Sequence, residues 1–231
     1  MKIVVIPDVH GSSYWKELVK IDADIYVFLG DYMDSFIYSH KEQIDNLSNI
    51  IYFANNNRNK VRLLIGNHDA HYFMYGRPGW KEVRGSGYSN SLQFKIYTLY
   101  ESNANLFNVA YQTGEYVFTH AGIVSQWYNK FIKPLLNYKP ELSIADGLNL
   151  LYSTNPFAYS YVSQYRGGNE AFSSPLWTDK DELIGDINPL HLHQIVGHTQ
   201  LDKVSSYTHA NGSFYFTDCG QRVDQSFILE T

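Results

Sequence analysis

Five short polar blocks, each directly behind a run of apolar, largely β-branched residues, constrain this chain more than any other feature. They are Asp8-Val9-His10, Gly30-Asp31-Tyr32-Met33-Asp34, Gly66-Asn67-His68-Asp69, Thr119-His120-Ala121-Gly122 and Gly197-His198-Thr199-Gln200. A chain laid out in this way delivers side chains from the ends of several strands to one point in space. The groups it delivers are carboxylates, imidazoles and one amide.

The rest of the chain is read around those blocks. Lys2 to Ile6, Ile25 to Leu29 and Val61 to Ile65 read as buried strands. Ser12 or Ser13 caps a short helix to about Lys20, and Leu47, Ile50, Ile51 and Ala54 keep helical spacing until Asn55-Asn56-Asn57. Leu92, Ile96 and Leu99 mark one face of a further helix. Strand–helix alternation of this kind implies parallel pairing with crossover helices. Further on, Leu106 to Ala110, Tyr116 to Thr119 and Gln194 to Val196 read as strands. Lys203 to His209 and Phe214 to Thr217 flank Asn211-Gly212, a hairpin signal. The expectation is one domain over residues 1–231, of α/β (α+β) class: two packed mixed sheets with helices outside. Residues 124–177 form an inserted helical, aromatic-rich region placed to cap the site.

Composition narrows the function classes. A formal charge of −5 argues against nonspecific coating of nucleic acid, which needs clustered Lys and Arg. No apolar run is long enough for a membrane span, and Asp8 interrupts the apolar run behind Lys2, unlike a secretory signal. The single cysteine, Cys219, excludes an internal disulfide framework, and a reducing cytoplasm fits best.

Taken singly, each block also fits a turn-forming Asp or a hydrogen-bonded structural His. Five in order favour a shared site. Asp8 and His10, two apart on an extended backbone, point the same way and can share a cation. Asp31 can bridge two cations, and Asp34 suits a supporting partner for an imidazole. Asn67 is an acceptable ligand where carboxylates supply the charge. His68 can face the substrate, and Asp69 caps the following helix or turn. Gly122 and Gly197 permit close backbone approach beside His120 and His198. His40, His71, His191, His193 and His209 lack such context and read as surface or structural. Ligands without thiolate suit Mn²⁺ first, with Fe, Zn or Ni as alternatives. Two such ions, about 3.5–4 Å apart, share a hydroxide and clamp phosphoryl oxygens.

This pattern resembles the calcineurin-like metallophosphoesterase superfamily, and it spans nearly the whole chain. The resemblance implies a four-layer αββα sandwich. It implies that Asp8, His10 and Asp31 hold one divalent metal and Asp31, Asn67, His120 and His198 the other. It further implies that His68, oriented by Asp34, is the catalytic acid. His120-Ala121-Gly122, Gly197-His198-Thr199-Gln200, Pro175-Leu176-Trp177 and Asp218-Cys219-Gly220 look most like the phosphoprotein phosphatase branch, which includes bacterial and phage phosphatases and symmetrical diadenosine-tetraphosphate hydrolases. Two departures stand out. Gln200 replaces the final His of many other branches. The arginine that normally follows the second Asp of Gly-Asp-x-x-Asp is missing, since Asp34 is followed by Ser35-Phe36, and Trp177-Thr178-Asp179 lacks a second one. Arg77, Lys81, Arg84 and Arg166 are the candidates to grip phosphate instead.

The expected activity is hydrolysis of phosphomonoesters, foremost phosphoserine or phosphothreonine in protein, by in-line hydroxide attack. The alternatives are a nucleotide or dinucleoside-polyphosphate hydrolase using the same metals, and a non-catalytic binding scaffold. The expected partners are thus a phosphorylated protein or a nucleotide, with neither membrane nor strong nucleic-acid binding.

Overall fold

Residues 1–77 and 84–231 are described in the computed structural model of the protein. Strands β1 (Lys2–Ile6), β2 (Ile25–Phe28), β3 (Val61–Leu64) and β4 (Phe107–Asn108) pair in parallel and in chain order. A second sheet comprises β5 (Ala110–Thr113), β6 (Tyr116–Thr119), β7 (His193–Val196), β8 (Ser205–His209) and β9 (Gly212–Phe216). Its order is β5-β6-β7-β9-β8, with β6, β7 and β9 parallel and the outer two antiparallel to their neighbours. The last strand, β10 (Phe227–Glu230), returns to the first sheet and pairs antiparallel with β1.

Alternation within β1 explains the layering. Ile3 and Val5 enter an apolar layer with Val27, Leu29 and Leu64 of their own sheet and Phe118 and Ile195 of the other. Val4 and Ile6 point the opposite way, into a core shared with Trp15, Leu47 and Ile50. Helices α1 (Trp15–Leu18), α2 (His40–Asn56), α3 (Asn67–Phe73) and α4 (Asn90–Glu101) belong to the first sheet's outer layer. Helices α5 (Ser125–Trp127), α6 (Lys133–Tyr138), α7 (Ile144–Thr154) and α8 (Lys180–Ile184) follow in the second half, with α7 packed on β5. The result is the expected mixed α/β, four-layer sandwich. Helix α2 starts where Ser39 and Glu42 form a reciprocal capping box.

Three local expectations differ from the structure. Helix α1 is a single turn and starts without a side-chain cap; the Ser12 hydroxyl instead accepts from Tyr14 N–H (3.3 Å). Leu106 to Ala110 is not one strand: the chain leaves the first sheet after Asn108 and enters the second at Ala110. The Asn149 side chain, from α7, holds this crossing, accepting from Val109 and Ala110 N–H (2.9 and 3.1 Å) and donating to Ala110 C=O (3.0 Å). In the β8–β9 hairpin, Gly212 pairs with His209 as the first residue of β9, and Ala210-Asn211 forms the turn. Within 124–177, Trp127, Leu148 and Tyr159 are buried in the main core.

Candidate active site

Every polar block sits beyond the C-terminal end of a strand: Asp8 and His10 after β1, Asp31 and Asp34 after β2, and Asn67 and His68 after β3. His120 follows β6 and His198 follows β7. Parallel strands put these ends on one side, where α/β sheets bind ligands. The backbone there is unusual. His10, Asp31, Asp34 and His198 have φ of 43°, 52°, 64° and 64°, the left-handed region that costs a non-glycine residue free energy unless its surroundings overdetermine it. They do: His10 N–H donates to Asp31 C=O (2.7 Å), and Asp31 and Tyr32 N–H donate to the Asp69 carboxylate (2.7 and 2.8 Å). Asp8 and His10 are therefore brought together by a turn at His10, not by the expected extended alternation. Asp69 also accepts from Gly66 N–H (2.9 Å), so it caps α3, as expected, while stapling the end of β2 to that of β3.

Lone pairs converge at the centre. His10 Nδ1 donates to Met33 C=O (2.7 Å), and His120 Nδ1 donates to Leu29 C=O (2.9 Å). Each ring therefore turns Nε2 towards Asp31 Oδ2, at 3.7 and 3.5 Å respectively, and in its neutral form offers a lone pair there. His120 Nε2 also lies 2.9 Å from Asn67 Oδ1 and 3.0 Å from His198 Nδ1. Asp8 Oδ2 lies 3.9 Å from His10 Nε2, while Asp8 Oδ1 accepts from His198 N–H (2.9 Å). Gly197 permits that last bond: a Cβ there would come within 2.5 Å of Asp8 Oδ1. Acceptors facing acceptors at these distances fit cations. Asp8, His10 and Asp31 make one triad within 4.8 Å, and Asp31, His120 and His198 another, with Asp31 common to both. Burial raises the Asp8 pKa and pushes that of His198 well down. Burial would also raise Asp31, but whenever the imidazoles around it, His120 first, carry charge they hold it low.

The candidate acid sits beside this centre. His68 Nδ1 donates to Asp34 Oδ2 (2.9 Å), which leaves Nε2 for the cleft that His68 lines. Burial opposes charge on both partners. Even so, the Asp31 and Asp34 carboxylates lift His68 to about 9, and the hydrogen bond from His68 together with the close His71 imidazole holds Asp34 at about 2. His71 and Tyr72 are the partners that sequence reasoning missed. His71, read there as surface or structural, is fully buried with Nε2 2.6 Å from Asp34 Oδ2, and Tyr72 OH donates to Asp34 Oδ1 (2.6 Å). A signal was present: His68, His71 and Tyr72 are spaced i, i+3, i+4 and share one face of α3.

The basic candidates separate. Arg77 pairs with Glu101 at 3.8 Å and lines neither cleft beside the centre. Lys81 lies outside the described residues. Arg84 stacks over Tyr88, with its guanidinium carbon 5.3 Å from the ring centroid. Arg166 is held by Asp179 (2.8 Å) and donates to Thr199 Oγ1 (2.5 Å), next to His198. Its guanidinium thus arrives at the Trp177-Thr178-Asp179 segment, which has no arginine of its own. Arg84, Arg166, Gly167, Gly168 and Trp177 line a cleft of about 480 Å³. A second, of about 310 Å³, is lined by His10, Asp34, Phe36, Ile37, His68 and Gln200, and Ser86 borders both.

With that geometry in place, residues 1–213 match the model of the calcineurin-like phosphoesterase family. The chain belongs to that family. It is accordingly a hydrolase of phosphate esters, and the family's dependence on metal matches the two clusters around Asp31. None of the curated proteins matches it significantly. Among solved structures it is similar to a cold-active protein-tyrosine phosphatase of a psychrophilic Shewanella species, at 18% identity and a TM-score of 0.57, covering 100% of this chain and 75% of that one. It is also similar to a protein serine/threonine phosphatase from Saccharomyces cerevisiae, at 17% identity and a TM-score of 0.51, covering 94% of this chain and 67% of that one. Likeness at these identities establishes the shared sandwich. Among the described residues, no helix is long and apolar enough to cross a membrane.

Proposed function

We propose that the protein is a metal-dependent phosphomonoesterase. Asp8, His10 and Asp31 hold one divalent cation, Asp31, Asn67, His120 and His198 hold the other, and His68 acts as general acid. The observation that carries this reading is the convergence of lone pairs on Asp31 Oδ2 beside an imidazole that Asp34 keeps protonated. Bound cations of this type supply a solvent nucleophile of lowered pKa and neutralise phosphoryl oxygens. Oxygen and imidazole ligands favour Mn²⁺, and the single cysteine suits a cytoplasmic setting. His68 then protonates the leaving oxygen through Nε2, a contribution of about 10²–10⁴-fold. Arg166, oriented by Asp179 and Thr199, turns its remaining N–H groups to the phosphoryl oxygens.

The favoured substrate is phosphoserine or phosphothreonine in protein. A general acid dictates where the leaving group lies, here the cleft that His68 shares with Phe36 and Ile37, which are 88% and 86% exposed. Apolar side chains in that place suit the body of a peptide better than a chain of phosphates. A nucleotide or dinucleoside-polyphosphate substrate is favoured instead by the neighbouring cleft of Arg84 and Arg166, which has charge and room for a further phosphate.

The test is a panel with Mn²⁺: phosphopeptides, p-nitrophenyl phosphate, its bis-ester and diadenosine tetraphosphate, for wild type and His68→Asn. Phosphopeptide turnover that falls about 10²-fold or more in the variant is the expected result. Turnover confined to nucleotides or the diester moves the assignment to the second reading. Neither bound metal nor activity would leave a binding scaffold, against which the intact ligand set speaks. In the same panel, Arg166→Ala should raise KM for the phosphopeptide about tenfold or more, since charged hydrogen bonds contribute about 1.5–3 kcal/mol, while Arg77→Ala leaves it unchanged.

A further inference from the structure

We infer that His71 is a positioning residue for the general acid, acting through Asp34; this rests on the reading of His68 just given. The torsion that orients an aspartate carboxylate is broad, so the rotamer alone does not aim Asp34 at His68. Its neighbours do: His68 Nδ1 donates to Oδ2 (2.9 Å), Tyr72 OH donates to Oδ1 (2.6 Å), and the buried His71 Nε2 lies against Oδ2 at ion-pair distance (2.6 Å), with no other polar partner of its own among the described residues. The tautomer of His71 is set from its other side, where Gly85 N–H donates to Nδ1 (3.3 Å) and places the proton on Nε2, facing Asp34.

The same contacts tie the rim of both clefts to the acid. Gly85 hangs from His71, Ser89 N–H donates to Tyr72 OH (3.0 Å), and the Tyr88 ring lies against both His71 and Tyr72. Between them Gly87, at φ +83°, brings its backbone so close to Asp34 that a Cβ there would lie 2.8 Å from the Asp34 Cβ. Segment 84–89, which carries Arg84 and Ser86, is thus built onto the residues that aim His68. An ordinary buried histidine would satisfy its own nitrogens. This one joins the substrate rim to the carboxylate behind the acid.

The test uses the ratio of turnover on a phosphoserine peptide to that on p-nitrophenyl phosphate, with Mn²⁺. An alkoxide needs its proton and p-nitrophenolate scarcely does, so loss of a general acid lowers this ratio, whereas general damage lowers both rates. His68→Asn calibrates it, with an expected fall of about 10²-fold. In His71→Gln the amide nitrogen reaches the place of Nε2 and donates to Asp34; in His71→Asn it reaches only that of Nδ1. The Gln variant should keep the ratio within about threefold, and the Asn variant should lower it about ten- to thirtyfold with each KM little changed. A second readout is the His68 Nδ1–H proton resonance in metal-free protein, expected to persist in the Gln variant and to broaden by exchange in the Asn variant. Equal ratios in the two variants, or a His68 resonance unaltered in both, would overturn the inference. A ratio unmoved by His68→Asn would overturn the reading of His68 and this inference with it; a ratio moved by His68→Asn alone overturns only the role of His71.

Discussion

Asp34 and His68 are linked titrating groups, and the sign of each shift fixes its effect on stability. Asp34 is lowered from 3.8 to about 2, so the stability it contributes is complete above 3.8 and is lost as pH falls through about 2. His68 is raised from 6.5 to about 9, so its contribution is complete below 6.5 and is lost as pH rises through about 9. The difference in Tm between metal-free wild type and Asp34→Asn is therefore expected to be largest between about pH 4 and 6.5 and to shrink on both sides. Thermal scans across pH check this, and a pH-independent difference would disprove the linkage. At this scale most of the candidate site was legible in the sequence, because Asp8, His10, Asp31, Asn67, His120 and His198 announce themselves by residue type behind apolar runs. His71 and Tyr72 did not, because a histidine and a tyrosine on a helix face usually pack a core, and only the position of Asp34 gives them a polar target.

Among the elements, strands and long helices followed their periodicity, and the failures fell where a side chain from elsewhere overrides it. Nothing in Leu106 to Ala110 marks a change of sheet. Asn149, forty residues downstream of Val109, makes that change by satisfying the backbone at Val109 and Ala110. Asn149→Ala removes three hydrogen bonds and should lower the free energy of unfolding by about 2–4 kcal/mol, with kcat under saturating Mn²⁺ unchanged; denaturant titration and steady-state kinetics check both parts. By contrast the start of α2 could be read locally, since Ser39 and Glu42 cap it within one turn.

Across the whole molecule, stacking two sheets through a shared apolar layer brings five strand ends to one place and concentrates buried carboxylates there. Burial, with Asp8 nearby, lifts Asp218 to about 8; burial likewise raises Asp8, and it lifts Asp69 well above its ordinary range. Such a cluster favours cation binding in the folded state alone. Mn²⁺ at 100 times its Kd should therefore stabilise the fold by about 2.7 kcal/mol. Calorimetry with Mn²⁺ and with a chelator reads this as a rise in Tm that Asp31→Asn largely abolishes. The order of strands and helices, the donor types and the strand ends that carry them were determined by the sequence itself, because periodicity and residue chemistry act over a few neighbours. Three further features were decided only in the tertiary structure: Arg166 and not Arg77 lies beside His198, His71 meets Asp34, and the chain changes sheets at Val109. Each depends on groups 30 to 40 residues apart, Arg166 with Thr199, Asp34 with His71 and Val109 with Asn149, meeting across packed layers, and no local pattern of residues encodes the distance between layers.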